Sequence, residues 1–420
     1  MIVELIFDLL EKTEEEISKK QKNFISLNSI PHVNCNCVYC QFPQKQITEF
    51  RWHNRKQLWR DQKKITIKTF DTFIKLQKIL NKYHNINMSE RGWKLILWPW
   101  LYTLHVAIYD IEEKLKKNNS LFLNKNILIK SSNYSSLIPK DYDNFTQIIK
   151  NFKFYKIILT HIAPKFLKKI TIKIEKNSDV ITNKKSFFFL SKALYKCILI
   201  VYFFLIKKNK IIFFSSYIPW SKRIVYYFRF KNFPILNIFS NFNTFKDNKT
   251  DLNFRDSSKE FDDHYLSLVI KLMPKSYLEN FDDYNTYSSL IFPQNPFFIF
   301  TGTGHFNNDL FKIWAAQKLK YSKLIILQHG GHYGLGKVSN CNAWEFEIGD
   351  YFLSWGWVNK KYPKVHGYGN FIRPINKNFK SKSKSLYIIG SGNDKYITST
   401  ISMPLGEQWL DYINSLKSFV

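Results

Sequence analysis

Glycine is scarce in this chain, 14 among 420 residues. Four of the 14 nevertheless fall within ten positions, in the stretch LQHGGHYGLG at residues 327–336. Cysteine is scarcer still. Cys35, Cys37, Cys40, Cys197 and Cys341 are odd in number and three are clustered, which excludes a disulfide scaffold and fits a reducing cytoplasm. Long hydrophobic runs are missing too. The apolar stretch from Cys197 to Ile206, inside FFFLSKALYKCILIVYFFLIKK (187–208), is about half of the ~20 residues a membrane span needs. Lys192 and Lys196 interrupt that segment. A buried or amphipathic helix is expected there, with peripheral contact at a membrane surface as the other reading. The opening MIVELIFDLLEKTEEE lacks a basic lead and turns acidic, so no secretory signal is expected. No internal repeat is visible.

Hydrophobic residues make up 45% of the chain and aromatic residues 17%, enough for a large core and too much for a disordered chain. The length suits two or three domains. Acidic residues are few, 33 against 63 Lys and Arg, for a net charge of +30. Such a balance points towards nucleic acid or an anionic membrane when it is concentrated in one place. Here the basic residues are spread along the whole chain, as in KKNNS, KFLKKITIK and KSKSK. A solvated basic surface is the expectation, and attraction to phosphate-bearing substrates or membrane headgroups is the second reading.

Residues 1–118 read as mainly helical. Phe70, Phe73, Leu76, Ile79 and Leu80 recur at helical spacing. Ser89 is an N-cap candidate for the next helix, and Pro99 is expected to break or kink it at Trp98. From 119 to 375 short β-branched and aromatic runs alternate with helical stretches. Strands are expected over 154–162, 210–218, 295–302, 322–328 and 349–357, with a helix over 309–320. Fully apolar strands in this alternation predict a parallel sheet covered on both faces, a Rossmann-like α/β domain. KNFKSKSKS (377–385) reads as a basic linker. Residues 376–420 then read as the linker and start of a second α/β domain, opening with LYIIGSG and left incomplete.

The stretch 327–336 follows an apolar strand, at the carboxyl edge where open α/β sheets bind ligands. Glycines there permit positive φ or close approach of the backbone to a ligand, and successive N–H groups can cradle an anion. His329 and His332 are candidates for proton transfer near neutral pH or for contact with phosphate. A second loop, TGTGHFNNDL (301–310), contributes Gly302, Thr303, Gly304 and His305, with Asn308 or Asp309 as a helix cap. A GxG is weak evidence alone; its value is positional, because adjacent parallel strands would bring both loops to one rim. Glu345, Glu347 and Asp350 are candidate general bases or ligands for sugar hydroxyls, with capping and solvated charge as the alternative. Trp355 and Trp357 fall on one side of the strand expected there. Arg91 is either a clamp for a carboxylate or phosphate or one half of a surface ion pair. Cys35, Cys37 and Cys40, with His32 or His53, have the residue types of a zinc site but lack its paired C-x-x-C knuckles, so no metal is expected.

Five segments, ERGWKLILWPWL, SYIPW, LMPKSYLENF, FKIWAAQKLKYSKLIILQHGGHYGLG and EFEIGDYFLSWGW, resemble in order and spacing a family of bacterial transferases. The genes of that family lie among those for cell-surface polysaccharide or lipopolysaccharide assembly. The resemblance covers roughly residues 45–420, and its most specific marks are QHGG-x-YG and SWGW. It implies a glycosyltransferase-like architecture of two Rossmann domains (GT-B), working without a metal or other cofactor on a nucleotide-activated donor. With it go a glycan or lipid-linked acceptor and a cytoplasmic site of action, the inner face of the membrane being the second reading of its place. The family's motif positions fall on Gln328, His329, Gly330, Gly331, Tyr333 and Gly334, on Glu345, Glu347 and Asp350, and on Trp355 to Trp357. Three departures stand out. Phe346 occupies a position where the family usually has histidine, the first 40 residues do not match its apolar opening strand, and the stretch from LYIIGSG onward resembles only the first strand and helix of its second domain. His332 sits at the variable position of QHGG-x-YG and ranks behind His329.

The residues therefore support a transferase moving a sugar or related group, with His329 or His332 at the donor phosphates or the acceptor proton. Gln328, Gly330, Gly331, Tyr333, Gly334, Gly302, Thr303, Gly304 and Arg91 would bind the donor. A non-catalytic truncated remnant and a basic nucleic-acid- or anion-binding protein are the alternatives.

Overall fold

The structure is a computed structural model that describes residues 2–6, 12, 15–16, 19, 24–27, 55–175, 205–233, 250–257, 263–334, 340–370, 414–415 and 418. The cysteine cluster with His32 and His53, most of segment 187–208, and all but three residues of the linker and α/β unit expected over 376–420 lie outside the described residues.

Two parallel sheets form from opposite ends of the described chain. The first has the order β2-β1-β3-β4, from β1 (Ile2–Ile6), β2 (Phe24–Ser26), β3 (Asn126–Ser132) and β4 (Ile170–Glu175). The second runs β5-β6-β7-β8-β9, from β5 (Ile211–Phe214), β6 (Phe298–Thr301), β7 (Lys323–Leu327), β8 (Tyr351–Ser354) and β9 (Val365–Gly367). The mixed α/β character expected from the alternating pattern is present, but its distribution differs. Residues 1–118 are not helical throughout. Val3 and Leu5 alternate inward while Ile2 is exposed, a strand period, and β1 pairs with both β2 and β3. Strands β3 and β4 thus join the start of the chain rather than the strands that follow them.

Two long helices follow β2, α1 (Arg55–Tyr83) and α2 (Glu90–Lys117). Ser89 caps α2, accepting from the Gly92 amide at 3.1 Å. Of the break or kink expected at Pro99, the break does not occur. The helix continues through Pro99, and burial on nearly all sides, including Trp93, Trp100 and Tyr102, holds it. Each such side chain contributes roughly 1.5–3 kcal/mol of burial, enough to offset the hydrogen bond that proline cannot donate.

The strand expected over 154–162 is a helix. After α3 (Tyr142–Ile148) comes α4 (Phe152–Ile162), capped by Asn151, whose side chain accepts from the Lys153 amide at 2.9 Å. Phe154, Ile158 and Ile162 are four apart and all buried against β3 and α2, so helical spacing outweighs the β-branched composition.

Further helices of eight residues or more are α5 (Trp220–Arg229), α6 (His264–Lys271), α7 (Phe281–Ile291), α8 (Asp309–Lys318) and α9 (Asn340–Ile348). Helix α2 packs on α1, α4, α8 and α9, and so lies between the helices of the two sheets. A buried polar staple ties the same regions. Asp309 accepts from the Tyr142 amide at 2.9 Å and from the Ser276 hydroxyl at 2.7 Å, and Lys312 lies 2.6 Å from it. Among the described residues no helix is long and apolar enough to cross a membrane.

Candidate functional site

Because β5 to β8 are parallel, their carboxyl ends form one rim. The sequence order of the strands is also their spatial order, so the loops after β6 and β7 are neighbours, as the two glycine loops required. After β5, Ser215 and Tyr217 both adopt left-handed backbone, with φ of 47° and 54°. Such conformations are costly for residues with a Cβ and concentrate at functional edges. The Ser215 carbonyl accepts from the Gly302 and Thr303 amides, stitching the first two loops together.

The glycines of the β6 loop serve the protein's own packing. A Cβ on Gly302 would lie 2.7 Å from the Tyr217 ring, and one on Gly304 2.5 Å from the Phe214 ring. In the β7 loop Gly334 has φ of +77° and lies against Trp357, whereas a Cβ on Gly331 would meet nothing within 4 Å. Gly331 is exposed and Gly330 and Thr303 are half-buried, so these positions border open space at the rim.

Gln328 is a bracket, not an open ligand group. Its Nε2 donates to the Gly330 carbonyl at 2.8 Å. Its Oε1 accepts from the Trp355 amide and the Trp357 indole, each at 2.8 Å. Strand β8 ends at Ser354, so the tryptophans lie beyond it, and their side is set by Gln328 instead of by strand alternation.

At the centre is a contact, not foreseen from the sequence, between two residues that it did single out. His305 Nε2 lies 2.6 Å from Glu345 Oε1, with both side chains fully buried. His329 Nδ1 lies 3.9 Å from the same oxygen, and the Tyr333 hydroxyl contacts His329 Nδ1 at 2.9 Å. The His332 ring leans on Tyr333 at 4.3 Å. Three buried polar atoms here, His305 Nδ1, Glu345 Oε2 and His332 Nε2, have no partner among the described residues. Leaving such a buried group unpaired costs about 1–3 kcal/mol.

Burial pushes the Glu345 carboxyl up to about 7, against the opposing pull of the His329 charge and a Tyr333 hydrogen bond. Burial, with the charge of Lys312, pushes His305 down to about 3. Burial likewise lowers His329 to about 4, despite nearby Glu345, and lowers His332. The imidazoles are therefore neutral at physiological pH, and Glu345 changes charge close to it. His329 is slightly exposed, so it links this cluster to the outside of the rim.

The other acidic candidates do not join it. Glu347 is on the opposite face of α9, paired with Lys94 and half exposed. It borders a cavity of about 270 Å³ between α1, α2 and α9, lined also by Phe70, Trp98 and Trp344. Asp350 is at the amino edge of β8, the far end from the rim, and Arg91 is with it: the guanidinium reaches Asp350 at 2.6 Å and the Ile348 carbonyl at 2.7 Å. Neither Asp350 as a base nor Arg91 as a donor clamp fits this placement. Phe346, the departure from the family pattern expected from the resemblance, is buried against Phe352 and Tyr362, each at 4.9 Å.

His305 was visible as the residue after GxG, but its partner lies 40 positions on, and nothing local announces the contact.

A desolvated carboxylate and histidines at the carboxyl rim of a parallel sheet lie where α/β proteins of this open, parallel type bind ligands. Within that class the chain belongs to the LIC12162 family of transferases, which it matches over residues 9–420. No curated protein and no solved structure matches it significantly.

Proposed function

We propose that this transferase moves a sugar or related group from a nucleotide-activated donor to a glycan or lipid-linked acceptor, in assembly of a cell-surface polysaccharide. The two parallel sheets support a GT-B-like reading of the architecture, and a cytoplasmic site of action suits a nucleotide donor. The observation that carries the proposal is the buried contact of Glu345 with His305, 3.9 Å from the partly exposed His329.

In this reading the neutral His329 takes the proton of the acceptor hydroxyl as its oxygen bonds to the transferred carbon. The donor's carbon–oxygen bond breaks, and the nucleotide leaves with that electron pair. Ionised Glu345 stabilises the imidazolium so formed; His305 holds Glu345 in place, and Tyr333 orients His329. Gly330, Gly331 and Thr303 border the space for the donor phosphates. His332 is the second candidate for contact with them.

A thermal-shift screen of the full chain against nucleotide sugars tests this directly. A bound donor at a hundred times its Kd adds roughly 2.7 kcal/mol of stability. The donor so found is then used in a transfer assay. Full transfer activity in His329→Ala would refute the assignment.

A further inference from the structure

We propose that helix α5 and the turn after it form a docking face for an anionic lipid bilayer. The inner side of α5 covers the second sheet: Tyr227 is buried, and Tyr226 stacks on Phe213 at 5.6 Å. The outer side is apolar where water would favour polar residues. Phe228 is 81% exposed and Val225 61%. Three residues apart, they share one stripe of the helix. Lys222 and Arg229, seven apart and both exposed, flank that stripe. Past the helix, exposed Phe230 and Phe233 bracket Lys231.

Charge selects the partner. No Asp or Glu occurs between Asp179 and Asp247, so no acidic side chain within that stretch offsets these cations. Exposed aromatic and aliphatic side chains framed by basic ones are the composition of a helix that lies in a membrane interface. Nucleic acid would satisfy the cations but give Val225 and Phe228 nothing apolar to enter. A protein partner would favour an apolar patch depleted of lysine. An anionic bilayer serves both, with headgroups for Lys222 and Arg229 and the acyl boundary for Phe228.

The face begins beside the candidate site. Trp220 opens α5 directly after the loop in which Tyr217 packs on Gly302, at the carboxyl rim of the second sheet. Docking through α5 would bring that rim close to the headgroups. Docking through this face does not depend on which group the protein transfers.

The test is co-sedimentation of the full chain with phosphatidylcholine vesicles, with and without phosphatidylglycerol. Binding is expected to the anionic vesicles and to weaken with salt. Each basic residue at such a surface is worth roughly a fivefold change in partition, so Lys222→Gln with Arg229→Gln should weaken binding about 25-fold. Val225→Ser with Phe228→Ser should weaken it roughly tenfold or more, with an unchanged melting temperature because both side chains are exposed. Absence of wild-type binding to anionic vesicles would overturn the proposal, as would equal binding by the Val225→Ser, Phe228→Ser variant. So would a wild-type dimer, or RNA binding, that this variant abolishes while vesicle binding persists.

Discussion

Glu345 and Asp350 are carboxylates five residues apart in sequence, at opposite edges of the second sheet. Both are largely buried, and burial alone raises both. At the amino edge, a hydrogen bond from Arg91, the Leu324 amide and the charges of Arg91 and Lys323 outweigh it, so Asp350 stays below its usual range. At the carboxyl edge the neighbours are histidines that burial itself keeps neutral. Nothing there outweighs desolvation, and Glu345 rises to about 7. One end of the sheet is a closed ion pair, while the other keeps a group able to exchange protons near neutrality. The difference lies in what each carboxylate faces: a guanidinium cannot give up its charge in a protein, whereas an imidazole can.

Five substitutions would break or sharpen that contrast. The largest effect is expected from His329→Ala, which should lower transfer by about 100-fold or more with a preserved fold; single-turnover rates and circular dichroism would check both. Next comes Glu345→Ala, which strands His305 in the core and should cost about 2–3 kcal/mol in urea unfolding. Glu345→Gln, retaining a hydrogen-bonding side chain, should cost less than half of that.

The third effect is on pH dependence. His329 sits at about 4 in the folded protein, below its ordinary value of 6.5, so the unfolded chain binds the extra proton between these limits. Stability from this group is complete above 6.5 and is lost as pH falls through 4. Replacing His329 with Asn should reduce the slope of stability against pH in that window by up to ~1.4 kcal/mol per unit. Glu345 has the opposite sign: its contribution is complete below 4.5 and is lost as pH rises through 7. Urea midpoints measured from pH 4.5 to 7 would resolve the two, and an unchanged slope in His329→Asn would contradict the burial argument. The smallest effect is expected from Asp350→Asn. It should cost about 1 kcal/mol by weakening the Arg91 contact, with transfer activity intact. A large loss of activity there would place chemistry at the wrong edge of the sheet.

Much of the second sheet was legible in the chain. The apolar runs at 298–301 and 323–327 and the helix at 309–318 fall inside the ranges their periodicity marks. The adjacency of the two glycine loops followed from parallel strands with short helical connections. Ser89 as an N-cap was equally local. Residues 154–162 were misleading because isoleucine-rich composition masked a spacing of four, and Ile2–Ile6 because so short a strand has meaning only beside its partners. The two carboxylates of α9, Glu345 and Glu347, look like a pair on paper. A helix turns ~200° between them, which sends one into the core and the other to Lys94.

By itself the sequence determined local features: the strands and helix around the two glycine loops, where a backbone needs glycine, and where basic and aromatic side chains alternate. These depend on interactions that reach only a few residues along the chain. Tertiary structure alone decided which charges meet. His305 and Glu345 come together across 40 positions, Arg91 and Asp350 across 259. Whether a carboxylate is then a closed ion pair or a proton carrier depends on desolvation and on the group opposite it, and both are properties of the packed protein.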